Sequence, residues 1–200
     1  MRIAFATRNE HKVAEANRVL KEFGIELYPA NVEKLEIQSD DLEEIARVAA
    51  EHAFKKFGKP IIVEDSGLFI DALNGFPGPY SSYVYRTIGL RGVLKLLDGC
   101  RKRDAYFKAA VAIALKNDLV MVFTGVVRGS ISLEPRGAYG FGYDPIFIPE
   151  GFNRTFAELG EEAKCSVSHR ARAFRKLGEW LASNKQLLSP NNLNDDSGGE

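Results

Sequence analysis

Short strand-forming runs separated by longer stretches of helical period constrain this chain more than any other feature. Residues 2–6 are apolar and read as a short buried strand, and residues 11–23 place Val13, Ala16, Leu20 and Phe23 on one helical face. A second helix is expected over residues 42–57, with Leu42, Ile45, Ala46, Ala49 and Ala53 at helical spacing and Asp40 or Asp41 as its cap. Lys59-Pro60 stops it, and Ile61-Ile62-Val63 forms a β-branched strand that runs into Glu64-Asp65-Ser66-Gly67. Acidic side chains are thus expected at the carboxyl end of a strand, the edge where ligands bind in open α/β sheets.

Downstream, Asn74-Gly75-Phe76-Pro77-Gly78-Pro79 is a loop. A short helix is expected around residues 87–97. The apolar segments 106–115 and 119–127 predict a hairpin, although the alanines within 109–114 also suit a helix. Residues 145–148 read as a strand and 168–181 as a final helix with Ala173, Phe174, Leu177, Trp180 and Leu181 on one face. Two hundred residues at 45% hydrophobic content suffice for one domain with room for two lobes. We place that domain at residues 1–183. Residues 184–200 are expected to be a disordered tail, because from Ser189 onward Leu193 is the single apolar residue.

Lys plus Arg and Asp plus Glu each total 27, so the formal net charge is zero. No global field draws such a chain to a nucleic-acid polymer or a membrane surface. A polyanionic ligand must instead be held locally, which favours a small phosphate compound. No apolar run approaches the roughly 20 residues that span a bilayer, and the apolar start is too short for a signal peptide. Cys100 and Cys165 form no disulfide framework or metal-spaced motif and suit a reducing cytoplasm.

Several segments carry candidate chemistry. Thr7-Arg8-Asn9-Glu10-His11-Lys12 connects a strand to a helix, where free N–H groups and the helix dipole favour a phosphate and Lys12 adds a cation. Taken alone the spacing is more often that of a simple N-cap. Glu64-Asp65 offers adjacent carboxylates of the kind that hold Mg²⁺, or a capped turn in which Gly67 takes a positive φ. Glu36 alternates with apolar neighbours as in a strand, and by itself is an ordinary solvent-facing glutamate. Gly140-Phe141-Gly142-Tyr143-Asp144-Pro145 interleaves aromatics with glycines, which suits stacking on a flat base or a tight turn around a buried aromatic pair. Lys164, Ser166, Ser168, His169 and Arg170 gather cations and hydroxyls around a helix start, as ligand-binding groups or as a cap with solvated neighbours.

Taken together, Thr7 to Lys12, Glu36-Ile37-Gln38, Glu64-Asp65-Ser66-Gly67-Leu68, Gly75-Phe76-Pro77-Gly78-Pro79-Tyr80-Ser81, Gly140 to Pro145 and Ser168-His169-Arg170 resemble, in order, the motifs of the inosine triphosphate pyrophosphatase (Ham1-like) family. The match runs from Met1 to about Ala182. It implies an α/β fold of two lobes, a mixed twisted central sheet flanked by helices, an active site in the cleft between lobes, and a homodimer. It also implies a Mg²⁺-dependent enzyme that hydrolyses non-standard purine nucleoside triphosphates such as ITP, dITP and XTP to the monophosphate and pyrophosphate. On this resemblance Thr7, Arg8, Asn9, Glu10, His11 and Lys12 hold the triphosphate. Glu36 and Asp65 bind Mg²⁺, and Asp65 is also the base that activates water. Ser66 contacts substrate, and Phe141, Gly142, Tyr143 and Asp144 form the base pocket, completed by Lys164, His169 and Arg170. The family often has two aspartates where this chain has Glu64-Asp65, which leaves the first carboxylate's role open.

Two other readings are consistent with parts of the pattern. A Maf-like pyrophosphatase would share fold and reaction but act on pyrimidine nucleotides, and the Phe-Gly-Tyr-Asp and Ser-His-Arg segments favour the purine enzyme. A non-catalytic nucleotide- or RNA-binding module would have no use for Asp65 with Glu36, and neutral charge weakens its RNA form.

Overall fold

The computed structural model of the chain describes residues 1–116 and 118–188. In chain order the elements are β1 (Arg2–Phe5), α1 (Glu10–Leu20), β2 (Glu26–Pro29), α2 (Leu42–Phe57), β3 (Ile61–Ile70), β4 (Pro77–Gly78), α3 (Ser81–Thr87), α4 (Gly89–Leu96), β5 (Asp104–Lys116), β6 (Leu119–Ile131), β7 (Phe147–Pro149), α5 (Phe156–Val167) and α6 (His169–Ser183). The fold is α/β. Among the described residues seven strands form a mixed sheet in the order β2-β1-β3-β5-β6-β7, with β4 paired to β3. Among the described residues two compact units are distinguished: Met1–Asp65 with Ala110–Thr124 and residues 173–188, and Ser66–Ala109 with Gly125–Arg172.

In the first unit β1 lies between two parallel neighbours, with Arg2 opposite Glu26 on β2 and Phe5 opposite Ile62 on β3. Asn17 of α1 closes the edge of β2 by donating to the Leu27 carbonyl and accepting from its N–H, at 2.9 and 2.6 Å. Helix α2 starts where Asp41 accepts from Glu43 N–H and stops at Gly58, which is left-handed at φ 71°. Its buried face is Leu42, Ile45, Ala46, Ala49, Ala50 and Ala53. Phe5 meets Phe174 edge to face at 5.7 Å.

The second unit is built on Leu68, Ile70, Val84, Val93, Phe107, Val127, Ile131, Ile146, Phe147 and Phe156, all buried together. Antiparallel pairing joins β3 to β4, Leu68 opposite Gly78, and β6 to β7, Ser130 opposite Ile148. Arg103 ties β5 to this core by donating to the carbonyls of Leu97, Ile131 and Ser132.

Several expectations are corrected. The helix expected near residues 87–97 is α4, which starts at Gly89 in the left-handed region at φ 62°, and a further helix, α3, precedes it. Strand β2 and helix α5 were not anticipated. Glu36 belongs to no strand and is exposed. The β5–β6 hairpin holds, and its extended conformation overrides the helical propensity of the alanines because both faces of that segment are buried. Of the expected tail, Lys185–Leu188 form a 3-10 turn. Residues 189–200, like Asn117 of the hairpin connection, lie outside the described residues.

Candidate active site

The candidate residues divide between the two units at the Asp65–Ser66 peptide bond. In the first unit, the connection from β1 to α1 is organised as an N-cap. Asn9 Oδ1 accepts from the backbone N–H groups of His11 and Lys12 at 3.0 and 3.4 Å, and Thr7 Oγ1 accepts from Asn9 N–H at 3.1 Å. Arg8 Nε donates to Asn31 Oδ1 at 3.1 Å, and the side chains of Glu10 and His11 are exposed. Lys12 Nζ meets Glu64 Oε2 at 2.6 Å.

Asp65 lies in mid-strand and not at a strand end, since β3 runs on to Ile70. The polar run Glu64-Asp65-Ser66-Gly67 does not break the strand, because its second half pairs with β4. Gly67 makes that pairing possible. A Cβ there would stand 2.3 Å from the Gly78 carbonyl oxygen, so the glycine serves close approach of two backbones and has no positive φ. Asp65 is half-buried beside the fully buried Glu64.

In the second unit, the loop from Gly140 to Asp144 is tied into a knot around one carboxylate. Asp144 Oδ2 accepts from Phe141 N–H at 2.8 Å and from Lys164 Nζ at 2.7 Å. A Cβ on Gly140 would lie 2.1 Å from that same oxygen, so only glycine fits. Two cations face the Phe141 ring, the Lys164 ammonium at 4.6 Å and the Arg170 guanidinium at 5.5 Å from its centroid. Arg170 Nη2 also donates to Ser66 Oγ at 3.2 Å. Tyr143 turns inward. Its hydroxyl donates to the Ser81 carbonyl at 2.9 Å, and burial pushes the phenol well above its ordinary range.

The last motif sits where α5 gives way to α6. Ser168 Oγ accepts from Ala171 N–H at 3.1 Å, so this serine is a cap, while Ser166 only donates back to the Ala163 carbonyl. His169 and Arg170 are not solvated; they are 4% and 2% exposed. The His169 imidazole stacks on Phe107 at 4.6 Å and 10° between planes. Phe107 carried no signal in sequence, being one apolar residue among many in β5. Glu64, offered by the sequence with Asp65 as a candidate Mg²⁺ carboxylate, is instead seen paired with Lys12.

The donor set fits a hard cation in a limited way. Among the described residues no group of three or more His, Cys, Asp or Glu is placed to hold a metal, so there is no all-protein cage. Mg²⁺ does not need one, since it commonly takes one or two carboxylates with the rest from water and substrate phosphates. The oxygens of Glu36 and Asp65 are of that kind. No helix of the described residues is long and apolar enough to cross a membrane.

The model of the Ham1 family matches residues 3–180. The chain is 57% identical over 188 residues to the dITP/XTP pyrophosphatase of Pyrobaculum aerophilum, covering 94% of this chain and 100% of that protein. It is 54% identical over 182 residues to the dITP/XTP pyrophosphatase of Ignicoccus hospitalis, covering 90% and 97%. The solved structure of a HAM1 protein from Coxiella burnetii superposes with a TM-score of 0.82 at 34% identity, covering 92% of this chain and 99% of that one. With the family model matching residues 3–180 and relatives 54% and 57% identical over nine-tenths of the chain or more, the chain belongs to the Ham1 family.

Proposed function

We propose that this chain hydrolyses non-standard purine nucleoside triphosphates, dITP, XTP and ITP, to the nucleoside monophosphate and pyrophosphate. The observation that carries the reading is the buried donor set of the second unit. Lys164 and Arg170 lie over the Phe141 ring and His169 stacks on Phe107, all three buried. Relatives named dITP/XTP pyrophosphatases at 54% and 57% identity support it.

A 6-oxo purine presents an acceptor to such donors, whereas the 6-amino group of ATP presents hydrogens. Buried donors facing an amine stay unpaired, which rejects the wrong base strongly. Phe141 supplies the stacking face and Arg170 the donor to the 6-oxygen. Thr7 to Lys12 hold the triphosphate. Asp65 takes a proton from the attacking water, whose oxygen bonds to the α-phosphorus as the bond to the bridging oxygen breaks and pyrophosphate departs. Glu36 and Asp65 are the residues that would hold Mg²⁺, which when bound would supply charge neutralisation at the phosphates. The enzyme works in the cytoplasm as a homodimer.

The test is pyrophosphate release across ITP, dITP, XTP, ATP, GTP and UTP, with Mg²⁺ or with EDTA, for the wild type and Asp65→Asn. The 6-oxo substrates are expected to lead, EDTA to abolish turnover, and Asp65→Asn to lose at least ~100-fold while folded. A preference for UTP, or full activity in EDTA, refutes the reading.

A further inference from the structure

Glu64 has no role in the reading above, yet its surroundings are specific. Strands β1 and β3 are parallel neighbours with Phe5 opposite Ile62, and Ala6 N–H donates to the Ile62 carbonyl at 2.8 Å. Two residues further along each strand, the approach to α1 and Glu64 come level. Lys12 is the third residue of α1, and helical side chains lean toward the helix N-terminus. Its ammonium therefore falls on Glu64, at 2.6 Å, with side-chain exposures of 19% and 0%. A carboxylate with no exposed surface is tolerated when paired and hydrogen-bonded. The ammonium carries three donors, and the ion pair with Glu64 Oε2 fixes its direction while the partly exposed side chain leaves it able to donate to a second acceptor.

We propose that Glu64 is a positioning residue for the phosphate end of the substrate: it aims Lys12 at the departing pyrophosphate. The proposal rests on the reading that Thr7 to Lys12 hold the triphosphate. Lysine is a point charge on a flexible stem, and ordering it on ligand binding weakens affinity unless the order is already present. Glu64 supplies that order from a buried strand.

Inorganic pyrophosphate and inosine monophosphate, tested separately as product inhibitors of the full chain, distinguish the two ends of the site. Lys12→Met is expected to raise the inhibition constant of pyrophosphate by ~10-fold or more. Glu64→Gln should raise it by about 3–30-fold, the range set by lysine rotamer freedom, and neither should alter inhibition by the monophosphate. The double variant should be no worse than Lys12→Met alone. Glu64→Asp, which keeps the charge but draws it back by one methylene, should fall between wild type and Glu64→Gln, and it carries the test if Glu64→Gln does not fold. Equal weakening of both inhibitors by Glu64→Gln, or multiplying effects in the double variant, overturns the proposal. If Lys12→Met weakens pyrophosphate and Glu64→Gln does not, the positioning role falls while the phosphate reading stands. If Lys12→Met itself changes nothing, the phosphate reading falls, and the proposal with it.

Discussion

Replacing Asp144 with Asn tests how much of the base pocket depends on one buried ion pair. Asp144 and Lys164 side chains are 4% and 2% exposed, and their charges meet at 2.7 Å. Asparagine keeps the shape and an acceptor for the Phe141 N–H, so what changes is that the Lys164 ammonium loses its carboxylate in a place water does not reach. Breaking a buried pair from one side costs ~3–5 kcal/mol. For a chain of this size each kcal/mol moves the melting temperature by about 2–4 °C, so a fall of roughly 6–20 °C is expected. Asp144→Ala should lose more, because the Phe141 N–H then also lacks its acceptor, at ~1–3 kcal/mol. The decisive assay is a double-mutant cycle by thermal or urea unfolding. Lys164→Met alone strands a buried carboxylate, but Lys164→Met with Asp144→Asn buries no unpaired charge and should recover most of the loss, with a coupling of ~2 kcal/mol or more. Additive single losses, or a loss for Asp144→Asn that 0.5 M salt abolishes, would refute the buried-pair account, since salt screens only pairs that solvent reaches.

Arg170→Ala should lower kcat/KM for ITP by ~10–100-fold, from loss of a charged hydrogen bond worth about 1.5–3 kcal/mol, while leaving the poor turnover of ATP nearly unchanged. Equal losses for both nucleotides would make Arg170 a holder of Ser66 and not a reader of the base. Gly67→Ala must push its Cβ off the Gly78 carbonyl, 2.3 Å away, and should cost ~1–3 kcal/mol, measured as a lower unfolding midpoint. The Thr155 backbone N–H, with help from Arg136 and Arg154, holds the Glu158 carboxyl below its ordinary value of 4.5. A depressed folded-state value means the contribution is present above the ordinary glutamate range and lost as pH falls through the folded value. The melting-temperature gap between wild type and Glu158→Gln should therefore be constant from pH 8 to 6 and close toward pH 3; a gap that widens on acidification contradicts the assignment.

What the sequence determined by itself is local. Asp41 and Gly58 delimit α2 because a carboxylate reaches a backbone N–H two residues on and glycine tolerates the left-handed turn, and both facts hold whatever the rest of the chain does. Net neutrality points away from polymers and membranes, and six short motifs in order identify the family, since each motif is a contiguous piece of chemistry. Only the tertiary structure decided which charge meets which. Lys164 finds Asp144 20 residues away, and Arg170 finds Ser66 at a separation of 104. Lys12 is committed to Glu64 and His169 to Phe107, partners with no sequence signal linking them. Asp65 was read at a strand end because four polar or small residues follow Val63, yet β4 passes close enough over Gly67 to carry the strand on to Ile70. Caps and turns are set by interactions a few residues long, which sequence spells out. The pairing of buried charges is set by the cost of removing each from water, and that cost exists only once distant segments have packed around them.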